Sequence, residues 1–161
     1  MIVMSRIDDR LIHGQVVEGW VNFLKATCIV VADDRVAANP LQRTIMEIAV
    51  PEGLKVVIGT VADVCDRLRS HSLDRERVIL LFSGPRDVVR FLQSGGTCAV
   101  VNIGGMRSVP GKRKVLDVLA VDDADLEALR EILRRGTRVE VQTVPTEKPL
   151  LLEKLIGAIC A

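Results

Sequence analysis

Of the two histidines in the chain, only His13 stands among groups that could assist it, in the segment RIDDRLIHGQ. Arg10 lies three residues before it, Asp8 and Asp9 lie just beyond, and Gly14 follows at the start of an apolar helical stretch. Each residue type answers a need of phosphoryl transfer. An imidazole nitrogen is a nucleophile near neutral pH, provided the ring proton sits on the other nitrogen, and a carboxylate such as Asp8 can hold that proton there. A planar guanidinium such as Arg10 matches phosphoryl oxygens. The free N–H groups and dipole of a helix amino terminus favour an anion, which places Gly14 and Asp9 in supporting positions. Bland alternatives stay open at this stage, because Asp8 or Asp9 could simply cap the helix and Arg10 could be a plain surface charge.

Other candidates are weaker. Ser83, in the turn SGPRD, could donate to a phosphoryl oxygen, although a turn with proline at the first helical position explains the same residues. Asp33 and Asp34 follow a strand where dinucleotide folds place a ribose-binding acid, but the glycine fingerprint GxGxxG is missing, so helix capping is preferred. A P-loop is absent. The glycines of NIGGMRS suit a plain hairpin as well as a ligand loop. His71, in SHSLD, reads as an exposed loop residue at the opposite end of the sheet. Cys28, Cys65, Cys98 and Cys160 form no CxxC pair, so neither a metal site nor a disulfide framework is expected, and no cofactor is called for.

These residues need a frame. Short apolar runs alternate with stretches of helical period, the pattern of an α/β fold. Strands are expected near 2–7, 27–32, 54–59, 77–82 and 97–103, with two more at KVLDVLAV and TRVEVQTV. Helices are expected near 14–24, 35–49, 61–70, 86–94, 123–135 and 149–159, with Gly19 slightly weakening the first. The early strands are apolar throughout, as in a parallel sheet covered on both faces. GGMRSVPG offers only turn residues, so the fifth and sixth strands are expected to pair as an antiparallel hairpin. The fold is thus an open, mostly parallel seven-stranded sheet with helices on both faces and one antiparallel strand near the carboxyl-terminal side. In such sheets the site lies beyond the carboxyl ends of the strands, where the His13 loop falls.

The composition narrows the classes. With 161 residues, one domain over 1–161 is expected. Hydrophobic residues at 48% and charged residues at 27% fit a soluble globular protein. A net charge of +1 and 2% aromatic residues argue against a nucleic-acid partner. The amino terminus carries charge from residue 6 and lacks the apolar region of a secretory signal, so a cytoplasmic location is expected.

Several motifs, in order, resemble the IIB component of the mannose, fructose and sorbose family of the bacterial sugar phosphotransferase system. RIDDRLIHGQV with Trp20 resembles its amino-terminal signature; IVVADDRVAANPLQRTIMEIAVPEGLKV, VNIGGM and RGTRVEVQTVP resemble later segments. The resemblance implies a single IIB domain in which His13 accepts a phosphoryl group on Nδ1 from a phosphohistidine of a IIA partner. It further implies transfer to a sugar moved by membrane IIC and IID subunits, with the protein held at the inner membrane face through that permease. Arg10 and Asp8 match signature positions, whereas SGPRD matches none. A histidine serving two partners should stand exposed on a shallow surface, without a deep pocket. An alternative keeps the phosphohistidine but uses it for regulation, without a dedicated permease.

Overall fold

The computed structural model describes residues 1–159, with side chains through residue 157, so Cys160 lies outside the described residues. Seven strands form one sheet in the order β3-β2-β4-β1-β5-β8-β9: β1 (Ile2–Asp8), β2 (Cys28–Ala32), β3 (Lys55–Gly59), β4 (Val78–Phe82), β5 (Val100–Gly105), β8 (Arg138–Val141) and β9 (Leu150–Leu151). All pairings are parallel except β8 with β9, where Glu140 opposes Leu151 and Val141 opposes Leu150. The mixed sheet therefore has its antiparallel strand at the carboxyl-terminal edge.

Alternation along the strands supplies two cores. Cys28, Val30 and Ala32 of β2, with Val78, Leu80 and Phe82 of β4, face one side, where α4 (Val61–Arg69), α5 (Pro85–Gln93), α6 (Asp123–Arg134) and α7 (Leu152–Ile159) cover them. Ile29, Val31, Ile79 and Leu81 face the other, beneath Val16, Trp20 and Val21 of the first helical segment and Val36 of α2 (Asp34–Ala37). All five residues of β2 and of β4 are buried, which is why those runs show no polar alternation.

Three expected elements differ. The stretch 35–49 divides into α2 and α3 (Pro40–Ile48), because Asn39 precedes a proline that forces it out of the helical region; it sits at φ −113°, ψ 98° and caps α3 instead. The segment 114–121 is not one strand. It folds on itself as a separate hairpin, β6 (Arg113–Leu116) with β7 (Leu119–Val121), so β5 and β6 do not pair and the seventh strand of the sheet is β9. Asp117 and Val118 make the turn, and Lys114 bridges Asp117 at 2.8 Å. The first helix begins as a π-helical segment (Gln15–Trp20) before α1 (Val21–Leu24), with Gly19 inside the wide turn. Among the described residues no helix is long and apolar enough to cross a membrane.

The connections place the His13 loop. The helix after β1 packs on one face, while the helices after both its neighbours, β4 and β5, pack on the other. Loops diverge at such a point and leave a crevice beyond the strand ends. His13 lies there.

Candidate functional site

Residues two apart on a strand share a face, so Arg6 and Asp8 of β1 point the same way. Both side chains are fully buried, and Arg6 Nη2 lies 3.2 Å from Asp8 Oδ2. Arg6 is held by the Gln142 carbonyl at 3.0 Å, the Thr143 carbonyl at 3.1 Å and the Asn102 side-chain oxygen, and its guanidinium lies 5.5 Å from the centre of the Trp20 ring. Trp20 Nε1 donates to the same Thr143 carbonyl at 3.0 Å. A charge removed from water in this way is tolerable only with a counter-charge and hydrogen bonds, which Asp8 and the carbonyls provide at both terminal nitrogens, while the buried Nε has no hydrogen-bond partner among the described residues.

Asp8 Oδ2 is also 2.8 Å from His13 Nε2. The other carboxylate oxygen accepts from the Arg10 backbone N–H at 3.2 Å and lies 3.6 Å from Arg10 Nε. Burial acts to raise the Asp8 pKa, but the hydrogen bond and charge of His13, with Arg6 and the Arg10 N–H, outweigh it and hold the carboxyl below its ordinary value. Asp8 is thus an anion that fixes the ring proton on Nε2. Among the described residues no hydrogen bond engages Nδ1, which is left with its lone pair. An imidazole so arranged can accept a phosphoryl group on Nδ1, and the positive charge that develops on the ring faces the buried carboxylate.

The loop achieves this by an unusual backbone. Leu11 adopts φ 55° and its side chain is buried, while its N–H bonds back to the Asp8 carbonyl at 2.9 Å, closing a tight turn that carries His13 over its own strand end. Gly14 then opens the helix, exposed and with no atom within 4 Å of where a Cβ would stand; the N–H groups of Val16 and Val17 both bond to the His13 carbonyl. No side chain caps this helix. Capping therefore explains neither Asp8 nor Asp9.

Arg10 is turned to the surface, 44% exposed, with Nη2 donating to Gln15 Oε1 at 3.0 Å. Asp9 ties in a second loop: its Oδ2 accepts from the Arg107 backbone N–H at 2.8 Å and from Arg107 Nε at 3.0 Å, while its own N–H bonds to the Gly105 carbonyl. The guanidinium of Arg107, 70% exposed, is thereby held on the loop beside the His13 turn. The His13 side chain itself is only 14% exposed, less than a surface histidine should be, because its Nε2 edge is turned inward to Asp8. A groove of about 560 Å³ on the sheet includes Asn102 and Gln142 but not His13.

The remaining candidates separate from this cluster. Ser83 donates to Asp87 Oδ2 at 3.1 Å and faces a different crevice, shared with Asp33, Asp87 and Lys112. Pro85 stands at the first position of α5, as a plain turn requires. Asp33 caps α2 by accepting from the Val36 N–H, and Asp34 accepts from the Val61 N–H and pairs with Arg90 at 2.7 Å. His71 is exposed at the amino end of β4 and pairs with Asp74 at 2.9 Å. Cys28 is buried, and its thiol pKa is pushed up to about 11, chiefly by burial. Among the described residues no group of three or more His, Cys, Asp or Glu could hold a metal ion.

Sequence reasoning missed Arg6, Asn102 and Arg107. For Arg6 a signal existed: an arginine inside an apolar strand, two residues before an aspartate, is costly unless the two pair. Gly104 carries a second signal. A Cβ there would stand 1.8 Å from Arg6 Nη2 and 2.0 Å from its Cζ, so the guanidinium occupies the space that any side chain would fill.

The chain matches the family described as PTS system sorbose subfamily IIB component over residues 2–159. It is similar to the N-acetylgalactosamine-specific phosphotransferase enzyme IIB component 2 of Escherichia coli, 37% identical over 155 residues, covering 96% of this chain and 98% of that protein. It is 38% identical over 162 residues to the mannose-specific EIIAB component of E. coli, covering 99% of this chain but 49% of that longer protein. Among solved structures, the IIBSor domain of the sorbose permease from Klebsiella pneumoniae superposes with a TM-score of 0.92 at 31% identity, covering 98% of this chain and 96% of that one. By sequence and by fold, the chain belongs to the sorbose subfamily of IIB components of the sugar phosphotransferase system.

Proposed function

We propose that this chain is a phosphocarrier with the activity of a protein-N(pi)-phosphohistidine–sugar phosphotransferase, and that His13 carries the phosphoryl group. The observation that supports it most directly is the 2.8 Å contact between buried Asp8 and His13 Nε2, which leaves Nδ1 as the nucleophile. In the first step the Nδ1 lone pair forms a bond to phosphorus, the N–P bond of the phosphohistidine on a IIA partner breaks, and its electron pair returns to the donor ring. In the second step a sugar hydroxyl oxygen attacks, the P–Nδ1 bond breaks with its pair returning to His13, and the hydroxyl proton leaves to solvent. Asp8 stays ionised throughout and offsets the charge on the ring. In this reading Arg10, and Arg107 held by Asp9, are the cations that screen phosphoryl oxygens, so no metal is required for that role. Gly14 leaves room for the approaching partner. Ser83, turned to Asp87, is given no part.

The acceptor in this reading is a sugar presented by membrane IIC and IID subunits, and the chain works at the cytoplasmic face of that permease. The test is transfer from phosphorylated IIA: an acid-labile label should appear on the wild type and on His71→Ala and be lost in His13→Ala. Label persisting in His13→Ala would overturn the assignment.

A further inference from the structure

Asn102 lies between Arg6 of β1 and Glu140 of β8 in parallel register, so the three side chains share one face of the sheet. Both charged neighbours already have a partner: Arg6 has Asp8 at 3.2 Å, and Glu140 has Arg138 at 2.7 Å. Asn102 is buried, and its Oδ1 accepts from Arg6 Nη1. Its Nδ2 is buried too, with no hydrogen-bond partner among the described residues. A buried donor without an acceptor costs stability, so the fold alone gives no reason to keep an amide at this position. Met4 and Val100 stand on the same face of the neighbouring positions, where apolar side chains are accepted. A leucine at 102 would remove the orphaned donor but also the acceptor for Nη1. An aspartate would supply acceptors, but as a second carboxylate on a guanidinium whose single charge Asp8 needs. A neutral acceptor of this length holds Arg6 and leaves that charge undivided.

We propose that Asn102 is a positioning residue for phosphoryl transfer: it fixes Arg6 against Asp8 without competing for the charge, and so keeps the anion behind His13 balanced and the Nδ1 lone pair free. The proposal rests on the phosphocarrier reading. The contacts run from Asn102 Oδ1 to Arg6 Nη1, from Arg6 Nη2 to Asp8 Oδ2 at 3.2 Å, and from that oxygen to His13 Nε2 at 2.8 Å. A negative charge at position 102 acts along this path in two ways of the same sign. It draws the guanidinium away from Asp8, and it adds a field of its own. Both favour the imidazolium, whose Nδ1 carries a proton and cannot attack phosphorus. The neutral amide also separates the Arg6–Asp8 pair from the Glu140–Arg138 pair, on strands spaced about 4.8 Å apart. The remaining charges about the ring and its anchor are Asp9 and Arg10 of the His13 loop, Arg107 from the loop after β5, and Glu147, which acts on Arg6 from the segment after β8. They are the same whichever residue stands at 102.

The test compares the whole chain with Asn102→Asp and, separately, Asn102→Leu. Two quantities are followed from about pH 5 to about pH 9: the rate at which phosphorylated IIA labels His13, and the ring-nitrogen NMR shifts of His13, which need no partner. Asn102→Asp is expected to move the acid limb of both profiles up by roughly 1.5 pH units, the order for one uncompensated charge about 8 Å from the ring at an effective dielectric constant of ~20. Asn102→Leu is expected to slow labelling by about threefold to tenfold, the loss of one hydrogen bond, with the acid limb where it was. An unmoved limb in Asn102→Asp, or the same movement in both variants, overturns the proposal. Asp8→Asn/Asn102→Asp covers the case in which Asn102→Asp does not fold, because it gives Arg6 a single carboxylate again, on its other side. Its urea midpoint should exceed that of Asp8→Asn while labelling stays as slow; equal midpoints, or restored labelling, overturn the proposal as well. A wild type that takes no label on His13 removes the phosphocarrier reading and the proposal with it, whereas a labelled wild type with an unmoved limb in Asn102→Asp removes the role of Asn102 alone.

Discussion

Replacing Asp8 by asparagine keeps the shape of the side chain and removes its charge, at a position where both oxygens face donors. Oδ2 is 2.8 Å from His13 Nε2 and 3.2 Å from Arg6 Nη2, and Oδ1 is 3.2 Å from the Arg10 N–H. An amide has only one accepting end. With its oxygen toward Arg6 and His13, its NH₂ meets the Arg10 N–H; reversed, the NH₂ faces a guanidinium and donates to Nε2, which drives the ring proton onto Nδ1 and abolishes the nucleophile. The first orientation keeps the tautomer but loses the anion. For charge centres about 4 Å apart at an effective dielectric constant of ~20, the lost attraction is about 4 kcal/mol, an upper figure for slowing the transfer by roughly 10³-fold. The second orientation costs more, on the order of 10⁴-fold, as tautomer inversion does in a Ser-His-Asp triad. Either way Arg6 is left buried without its carboxylate, a loss of about 3–5 kcal/mol of stability. Rapid-quench measurement of phosphoryl transfer from IIA reads the first effect, and urea unfolding the second. A transfer rate within threefold of wild type, with an unchanged urea midpoint, would refute the account of Asp8 as the charged anchor of His13.

Other outcomes follow from the same geometry. Gly104→Ala places a Cβ 1.8 Å from Arg6 Nη2, so the guanidinium must leave Asp8; stability should fall by about 2–4 kcal/mol and transfer should slow, and an unchanged melting curve would show that the cluster yields freely. The Asp8 pKa is lower in the folded than in the unfolded protein, so its contribution to stability is complete above about pH 4 and disappears as pH falls through the folded value. The difference in urea midpoint between wild type and Asp8→Asn should therefore narrow from about pH 6 to about pH 3; a widening gap would reverse the sign of the argument. Asp9→Ala releases Arg107 from both its hydrogen bonds and should slow transfer by about tenfold while costing less than about 2 kcal/mol in stability, and Arg107→Ala should match it in rate. Equal rates for wild type and both variants would remove the second loop from the site.

The nearest part of this organisation to the sequence is the alternation of apolar runs and helical stretches, and with it the parallel sheet, the loop after β1 and the position of His71 in an exposed loop away from it. These depend on neighbours in the chain: apolar residues on a buried strand, turn residues at its end, a helix beginning at Gly14. Asp33, Asn39 and Pro85 likewise cap or open helices by contacts within a few residues. The failures share the opposite property. Whether 114–121 is one strand or a hairpin depends on which edge is free to pair, and β9 is two residues whose assignment rests on Glu140 and Val141 lying alongside. Asp9 reads locally as a helix cap until Arg107, 98 residues away, takes its carboxylate.

For the opening prediction the division is the same. The types and spacing of Arg10, Asp8 and His13 were sufficient to suggest phosphoryl chemistry, because an anion, a cation and an imidazole within six residues can meet in a tight turn, but they left helix capping and a plain surface charge open. That Asp8 engages Nε2 rather than Nδ1, and does so as a buried anion, was decided by the tertiary structure alone. Arg6 holds the carboxylate only because Asn102, Gln142 and Thr143 close around it from 96 to 137 residues away, and because Gly104 leaves the space empty. Burial is a property of the assembled sheet, and burial is what makes one hydrogen bond to a histidine strong enough to choose which nitrogen is free.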